Sequence, residues 1–367
     1  MTREQEISRV GYVGVGTNVL LSGFKALIGV LSGSLAILLD AVNNLSDVLS
    51  SVITIVGTKL GAKPADKHHP FGHGRYEYIS ALMIAFLIFG AGVMALYNAV
   101  LKILHPTPVK YDFWAYLVIV AAILTKILLS RYTKRRGEQL QSTSLIASGT
   151  DAMFDVFTSV ATLVSALVFS IFGLNIDGWA GLLISFVIIR GGILLVRETT
   201  DDILGRRIDA ALSRSIKADI RGVEGVKGAY DLSVNAYGPS KMVGAVEIEV
   251  DENMKAREIH ELSHRINREI FSKYGLDLYI GVFAESRDEE SLRLKGEIAA
   301  FIKEKYPQVL QIHAFNFDAQ KGRVRFDAVL DFSLKDRKVF CEKLVEDLET
   351  RWRDYSFVLN QDSDLSD

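Results

Sequence analysis

Long apolar runs dominate the first 205 residues, and short runs in which apolar and polar residues alternate make up the rest. Six apolar stretches stand out, at about 10–33, 35–60, 78–104, 113–132, 145–172 and 179–196. Each is near the roughly 20 residues that a helix needs to cross about 30 Å of hydrocarbon. The pattern therefore predicts a transmembrane domain of six helices over residues 1–205.

From about residue 205 the apolar runs shorten to strand length. A helical segment near 210–221 precedes alternating runs at 226–236 and 242–250, separated by Gly238-Pro239. An amphipathic helix at 256–274, stopped by Gly275, precedes a strand at 276–283. The order helix, strand, strand, helix, strand then recurs: 289–305, 309–318, 324–332, 336–353 and 355–359. Helices laid on one face of a small sheet predict α+β ferredoxin-like modules, two in tandem, over 206–287 and 288–367.

Charge in the short loops orients the spans. Lys63, Lys67 and Arg75 follow the second span, Arg131, Lys134, Arg135 and Arg136 the fourth, and Arg197, Arg206 and Arg207 the sixth. Lys102 and Lys110 beside the third connection are exceptions. The positive-inside rule then places both termini and the soluble modules in the cytoplasm of a multi-pass cell-membrane protein. The N-terminal segment, charged with both signs and followed by a full-length span, reads as retained. The composition, 49% hydrophobic with 23% charged residues, fits such a joined architecture, and the net charge of −2 says nothing about partners; no nucleic-acid partner is expected. One cysteine, Cys341, excludes an intramolecular disulfide and a thiolate cluster within the chain.

Polar residues inside the spans carry the chemistry. In the second span Asp40, Asn43, Asn44 and Asp47 form a continuous stripe, and in the fifth Ser148, Asp151 and Asp155 repeat it. Residues four apart share a helix face, so Asn43 with Asp47 and Asp151 with Asp155 each direct two oxygens to one point. An intramembrane carboxylate costs several kcal/mol, roughly 3 on insertion scales, and therefore calls for a partner, most simply a metal cation. The competing account is interhelical hydrogen bonding, which Asn43 and Asn44 suit. The loop after the second span holds Asp66, His68, His69 and His73, so three of seven histidines fall within six residues beside a carboxylate. That composition fits a second metal site or a polar loop at the headgroup surface.

Six spans, the quartet shared between spans two and five, the loop His69-Pro70-Phe71-Gly72-His73-Gly74-Arg75-Tyr76-Glu77 and a ferredoxin-like module together resemble the cation diffusion facilitator family, over about residues 8–286. The resemblance implies a homodimer in the lipid membrane that exports a divalent cation in exchange for protons, with no cofactor and no enzymatic activity. It implies that Asn43, Asp47, Asp151 and Asp155 form the transport site; Asp40 and Asn44, on the same polar stripe, are expected to support it. Asp66, His69 and His73 match the family's loop site.

Zinc-transporting members place histidine at one or both first positions of the pairs, where this chain has Asn43 and Asp151. All four donors are then hard oxygens, which suit manganese better than zinc. The quartet resembles the manganese branch, so the expected order of cargo is manganese, iron(II), zinc. The strands of the first module carry no histidine; His260 and His264 read as a solvated helix face, and His313 and Cys341 as too isolated for a site. Lys25, Lys126 and Arg190 are expected to snorkel or to pair with acids, and Arg75 to meet Asp201 or Asp202. Two readings of other classes are a membrane hydrolase using the 68–73 loop and a metal sensor or scaffold. No His-Glu-x-x-His or Gly-x-Ser-x-Gly motif supports the first.

Overall fold

Backbone groups have no water to bond within hydrocarbon, so apolar segments close their hydrogen bonds internally as long helices. The computed structural model describes residues 2–32, 41, 44, 47–105, 113–174, 176–238, 241–285 and 288–363. Asp40 and Asn43 lie outside them. The helices are α1 (Arg3–Ser32), α2 (Val48–Gly61), α3 (Tyr76–Leu104), α4 (Phe113–Gln139), α5 (Thr143–Phe172) and α6 (Asp177–Leu204). Four of these, α3 to α6, are long and apolar enough to cross a membrane. Helix α1 is as long as α5, but buried polar residues Asn18 and Lys25 dilute its apolar run. Helix α2 is the described part of the second expected span.

Helices α3 and α6 make the most extensive helix pair, followed by α4 and α5. The first pair is close because small residues line it. A Cβ on Gly192 would sit 2.9 Å from Phe89 Cα, and Ala81, Ile84, Ala85 and Ile88 fill the seam against Ile188 and Leu195. In lipid such close packing replaces the hydrophobic drive between helices. Helix α5 starts at Ser142, whose hydroxyl accepts the Leu145 amide, and stops at Gly173 in the left-handed conformation.

Residues 1–206 with 237–241 form one compact unit, and 207–236 with 242–367 another. The second unit contains α7 (Ala210–Gly222), β1 (Gly228–Ala236), β2 (Met242–Asp251), α8 (Ala256–Tyr274) and β3 (Leu276–Glu285). There follow α9 (Glu289–Lys305), β4 (Val309–Asp318), β5 (Arg323–Leu330), α10 (Arg337–Arg351) and β6 (Ser356–Ser363). The strands make two three-stranded sheets, β1-β2-β3 and β4-β5-β6, each with an antiparallel first pair and a parallel second pair. One face of the first sheet buries Leu232, Val246, Ile248 and Val250 under Ile216 and Ile220 of α7 and Leu262, Ile266 and Ile270 of α8. The second buries Phe315, Val324, Phe326 and Leu330 under Ile298 and Ile302 of α9 and Leu344 and Leu348 of α10.

The two copies share a fault in their hydrogen-bond ladders. Register shifts after Tyr230 in β1 and after His313 in β4, and the next residues, Asp231 and Ala314, both have φ of 51°. A bulge with a left-handed residue bends its strand, and the same bulge in both sheets marks them as repeats of one design. Strand β6 runs to Ser363, beyond the expected 359, because parallel pairing with β5 recruits the polar Asn360, Gln361 and Asp362. Strand β5 ends at Leu330 rather than 332, where the Asp331 carboxylate accepts the Ser333 amide and turns the chain.

Candidate functional site

Helices α2, α4 and α5 bring charged side chains to one cleft inside the helical unit. Asp47 immediately precedes α2 and makes no side-chain capping bond, which leaves its carboxylate for other partners. Lys126 of α4 lies between that carboxylate and one from α5. Its Nζ donates to Asp47 Oδ2 at 2.8 Å and to Asp155 Oδ2 at 2.6 Å, and the lysine is 2% exposed. Asp151, one turn before Asp155, accepts Ser50 Oγ at 2.6 Å. Thus the predicted residues Asp47, Asp151 and Asp155 all line one cleft, together with Ser148.

The cleft holds about 10 Å³ of free volume, about one water-sized sphere. Asn18 of α1 lines it too, and its Oδ1 is buried with no hydrogen-bond partner among the described residues. An orphaned amide oxygen beside three carboxyl groups is an electron-pair donor in want of a cation or a hydrogen-bond donor. Asn44 serves differently: its Oδ1 accepts Lys25 Nζ at 3.0 Å, a bond to α1. Sequence spacing exposed the carboxylates because they repeat at four residues. Asn18, Ser50 and the double pairing of Lys126 have no such local signature.

The loop after α2 builds a second cluster. Asp66 Oδ1 accepts the amides of His68 and His69 at 2.8 and 2.7 Å, an Asx turn that folds the loop back on itself. These amides, His69's foremost, hold the Asp66 carboxyl below its ordinary range. Gly72, at φ +85°, completes the reversal, with its amide on His69 O. As a result His69 Nδ1 stands 3.3 Å from Asp66 Oδ1 and His73 Nε2 3.5 Å from Asp66 Oδ2. His73 Nδ1 lies 3.1 Å from Pro64 O. Donation from Nδ1 to that carbonyl fixes the ring with Nε2 toward Asp66, the usual orientation behind a metal-binding histidine. The three residues place one ligand atom each within 4.8 Å of the others.

Other expectations change. Arg75 reaches neither Asp201 nor Asp202; its guanidinium lies over the ring of Tyr237, 4.4 Å from the centroid. The acid near it, Glu77, is taken by the fork of Arg3, with both bonds at 3.1 Å. A bidentate guanidinium match is the stronger choice for a nearly buried carboxylate. His260 and His264 stack edge to face on the exposed side of α8.

Comparison with known proteins matches residues 12–204 to the family model of the cation efflux transmembrane domain, and residues 208–282 to that of the cation efflux protein cytoplasmic domain. The chain is 28% identical over 269 residues to an uncharacterized transporter of Methanocaldococcus jannaschii, covering 73% of this chain and 94% of that one. It is 26% identical over 265 residues to the manganese efflux system protein MneS of Bacillus subtilis, covering 72% and 91%. It is 30% identical over 282 residues to metal tolerance protein C1 of Arabidopsis thaliana, covering 72% and 59%. The second sheet lies beyond both matched regions.

Proposed function

The chain belongs to the cation efflux, or cation diffusion facilitator, family of membrane metal transporters, and on that premise we propose that it exports manganese(II) from the cytoplasm in exchange for protons. The observation that carries this reading is the cleft lined by Asp47, Asp151 and Asp155, in which Lys126 bridges two of the carboxylates. Asn43, four residues before Asp47 in the sequence, would complete an all-oxygen donor set, and hard oxygens favour manganese over zinc. Two Bacillus subtilis relatives at 26% identity are manganese efflux system proteins, which agrees with that order. Iron(II) and then zinc are the runners-up by the same mechanism.

The ammonium of Lys126 sits where a cation bridging Asp47 and Asp155 would sit. Metal and lysine therefore compete for the same oxygens, and Lys126 offsets the mutual repulsion of the carboxylates when no metal is bound. Protons compete for those oxygens as well, so exchange needs no separate proton path. Asn43 and Asn18 do not titrate near neutral pH and adjust the donor number without changing the proton count.

Around this site the reading assigns six spans over 1–205 and cytoplasmic termini. It assigns ferredoxin-like modules over 206–287 and 288–367, and a homodimer formed through the first of them. Asp66, His69 and His73 would form an accessory loop site. The test is flux into proteoliposomes under an imposed proton gradient, with manganese, iron(II), zinc and cobalt compared at equal concentration. Manganese uptake that dissipates the gradient is expected, and zinc uptake exceeding manganese uptake would overturn the assigned cargo.

A further inference from the structure

The helix-free faces of the two sheets carry a second set of charged groups. On the first sheet Tyr230 and Glu247 are cross-strand partners, as His313 and Asp327 are on the second. His313 thus occupies in its sheet the position of Tyr230 in the other, and the two rings stack at 5.3 Å with 7° between their planes. Asp231, carried by the bulge in β1, points at the same imidazole: its Oδ2 is 2.6 Å from His313 Nε2. Asp327 Oδ2 and Asp362 Oδ2 each lie 3.9 Å from that nitrogen. The sequence reading of His313 as isolated is thereby corrected, since its neighbours come from both sheets and three strands.

His313 is 2% exposed. Its Nδ1 has no hydrogen-bond partner among the described residues, whereas its Nε2 is held by Asp231 at 2.6 Å. Ligand atoms of Asp231, His313 and Asp362 lie within 4.8 Å of one another, and so do those of Glu247, His313 and Asp327. Four carboxylates therefore crowd one buried imidazole. Like charges at this spacing oppose one another. The imidazolium supplies at most one positive charge, and beyond it Lys217 acts on Asp231; a divalent cation supplies two charges and accepts four to six ligands.

We infer that His313, Asp231, Asp327 and Asp362, bordered by Glu247, form a divalent-cation site between the two sheets, distinct from the membrane cleft and closed within one chain. One imidazole with several carboxylates is the donor set of manganese(II), iron(II) or zinc, rather than magnesium or copper(I). Its ligands come mostly from the second sheet, which lies outside the residues matched by the cytoplasmic family model. The site does not depend on the proposed cargo or direction of transport. Occupancy would bind the folded pairing of the sheets and raise the unfolding temperature by mass action.

The test titrates the full chain, purified in detergent and stripped with chelator, with manganese(II) followed by electron paramagnetic resonance, and with zinc in parallel. An Asp155→Ala, His73→Ala background removes the membrane and loop sites. One cation per chain should remain on that background, with a cation-dependent rise in unfolding temperature. His313→Gln and Asp327→Asn should each weaken this binding at least tenfold and abolish the rise. If either fails to fold, Asp362→Asn at the partly exposed rim decides by the same readouts. Absence of binding on the background, or binding unchanged in folded variants, overturns the site and leaves His313 as an ion-pair pin. Flux through His313→Gln in an otherwise native chain reports separately on transport.

Discussion

Lys126 Nζ lies 2.6 Å from Asp155 Oδ2, and the same ammonium reaches Asp47 at 2.8 Å. A lysine held by two carboxylates from different helices is a tethered cation in a site read as a cation site. Replacing it with methionine keeps most of the apolar stem and removes the competitor. Lys126→Met is expected to bind manganese about tenfold more tightly at pH 7, on the order of 1.4 kcal/mol, and to release it more slowly. Titration of the purified variant measures the first effect and proteoliposome flux the second. Equal affinity in variant and native protein would show that the ammonium does not compete.

Asp47, Asp151 and Asp155 supply the carboxyl groups of the cleft, and their loss should be severe. Asp47→Ala or Asp155→Ala is expected to abolish manganese export; retained manganese tolerance in an exporter-deficient host would defeat the assignment. Ser50→Ala is a graded probe, because it removes only the 2.6 Å bond to Asp151. A hydrogen bond to a charged group contributes about 1.5–3 kcal/mol. A loss of roughly tenfold or more in affinity is therefore expected, with flux retained at saturating metal.

Asn43 sets selectivity if donor hardness does. Asn43→His supplies the imidazole that zinc prefers. The ratio of zinc to manganese flux in proteoliposomes should rise by about tenfold, equivalent to roughly 1.4 kcal/mol of discrimination. An unchanged ratio would refute the hard-ligand argument while leaving metal export itself intact.

Residues four apart on one helix, such as Asp151 and Asp155, are legible because helix geometry fixes their relation whatever surrounds them. Strand order in the second unit is legible for a similar reason, since alternation and turn residues are local. Lys126 meeting Asp47 and Asp155, and His313 meeting Asp231, are different. These contacts join elements far apart in sequence, so their partners depend on helix packing and on how one sheet faces the other. Arg75 illustrates the converse. Its charge suggested an acidic partner, but Arg3 takes Glu77 and leaves Arg75 on an aromatic face.

Asp251 gives a pH prediction outside the membrane. It closes β2, where Lys227 Nζ donates to it at 2.5 Å and the Asn253 amide at 3.0 Å. Lys227 first, and then Asn253, lower its pKa from an ordinary 3.8 to about 2. The folded state therefore favours the carboxylate, and this contribution is complete above the unfolded pKa and lost as pH falls through the folded one. Asp251→Asn should lower the unfolding temperature modestly at pH 5 to 7, because the pair is partly exposed and screened by solvent. The gap between native and variant should close between about pH 4 and pH 2, as the native carboxylate takes up its proton. Differential scanning calorimetry of the full chain in detergent across that range measures the gap. A gap that stays constant down to pH 2 would show that the Lys227 pairing contributes nothing specific to the charged form.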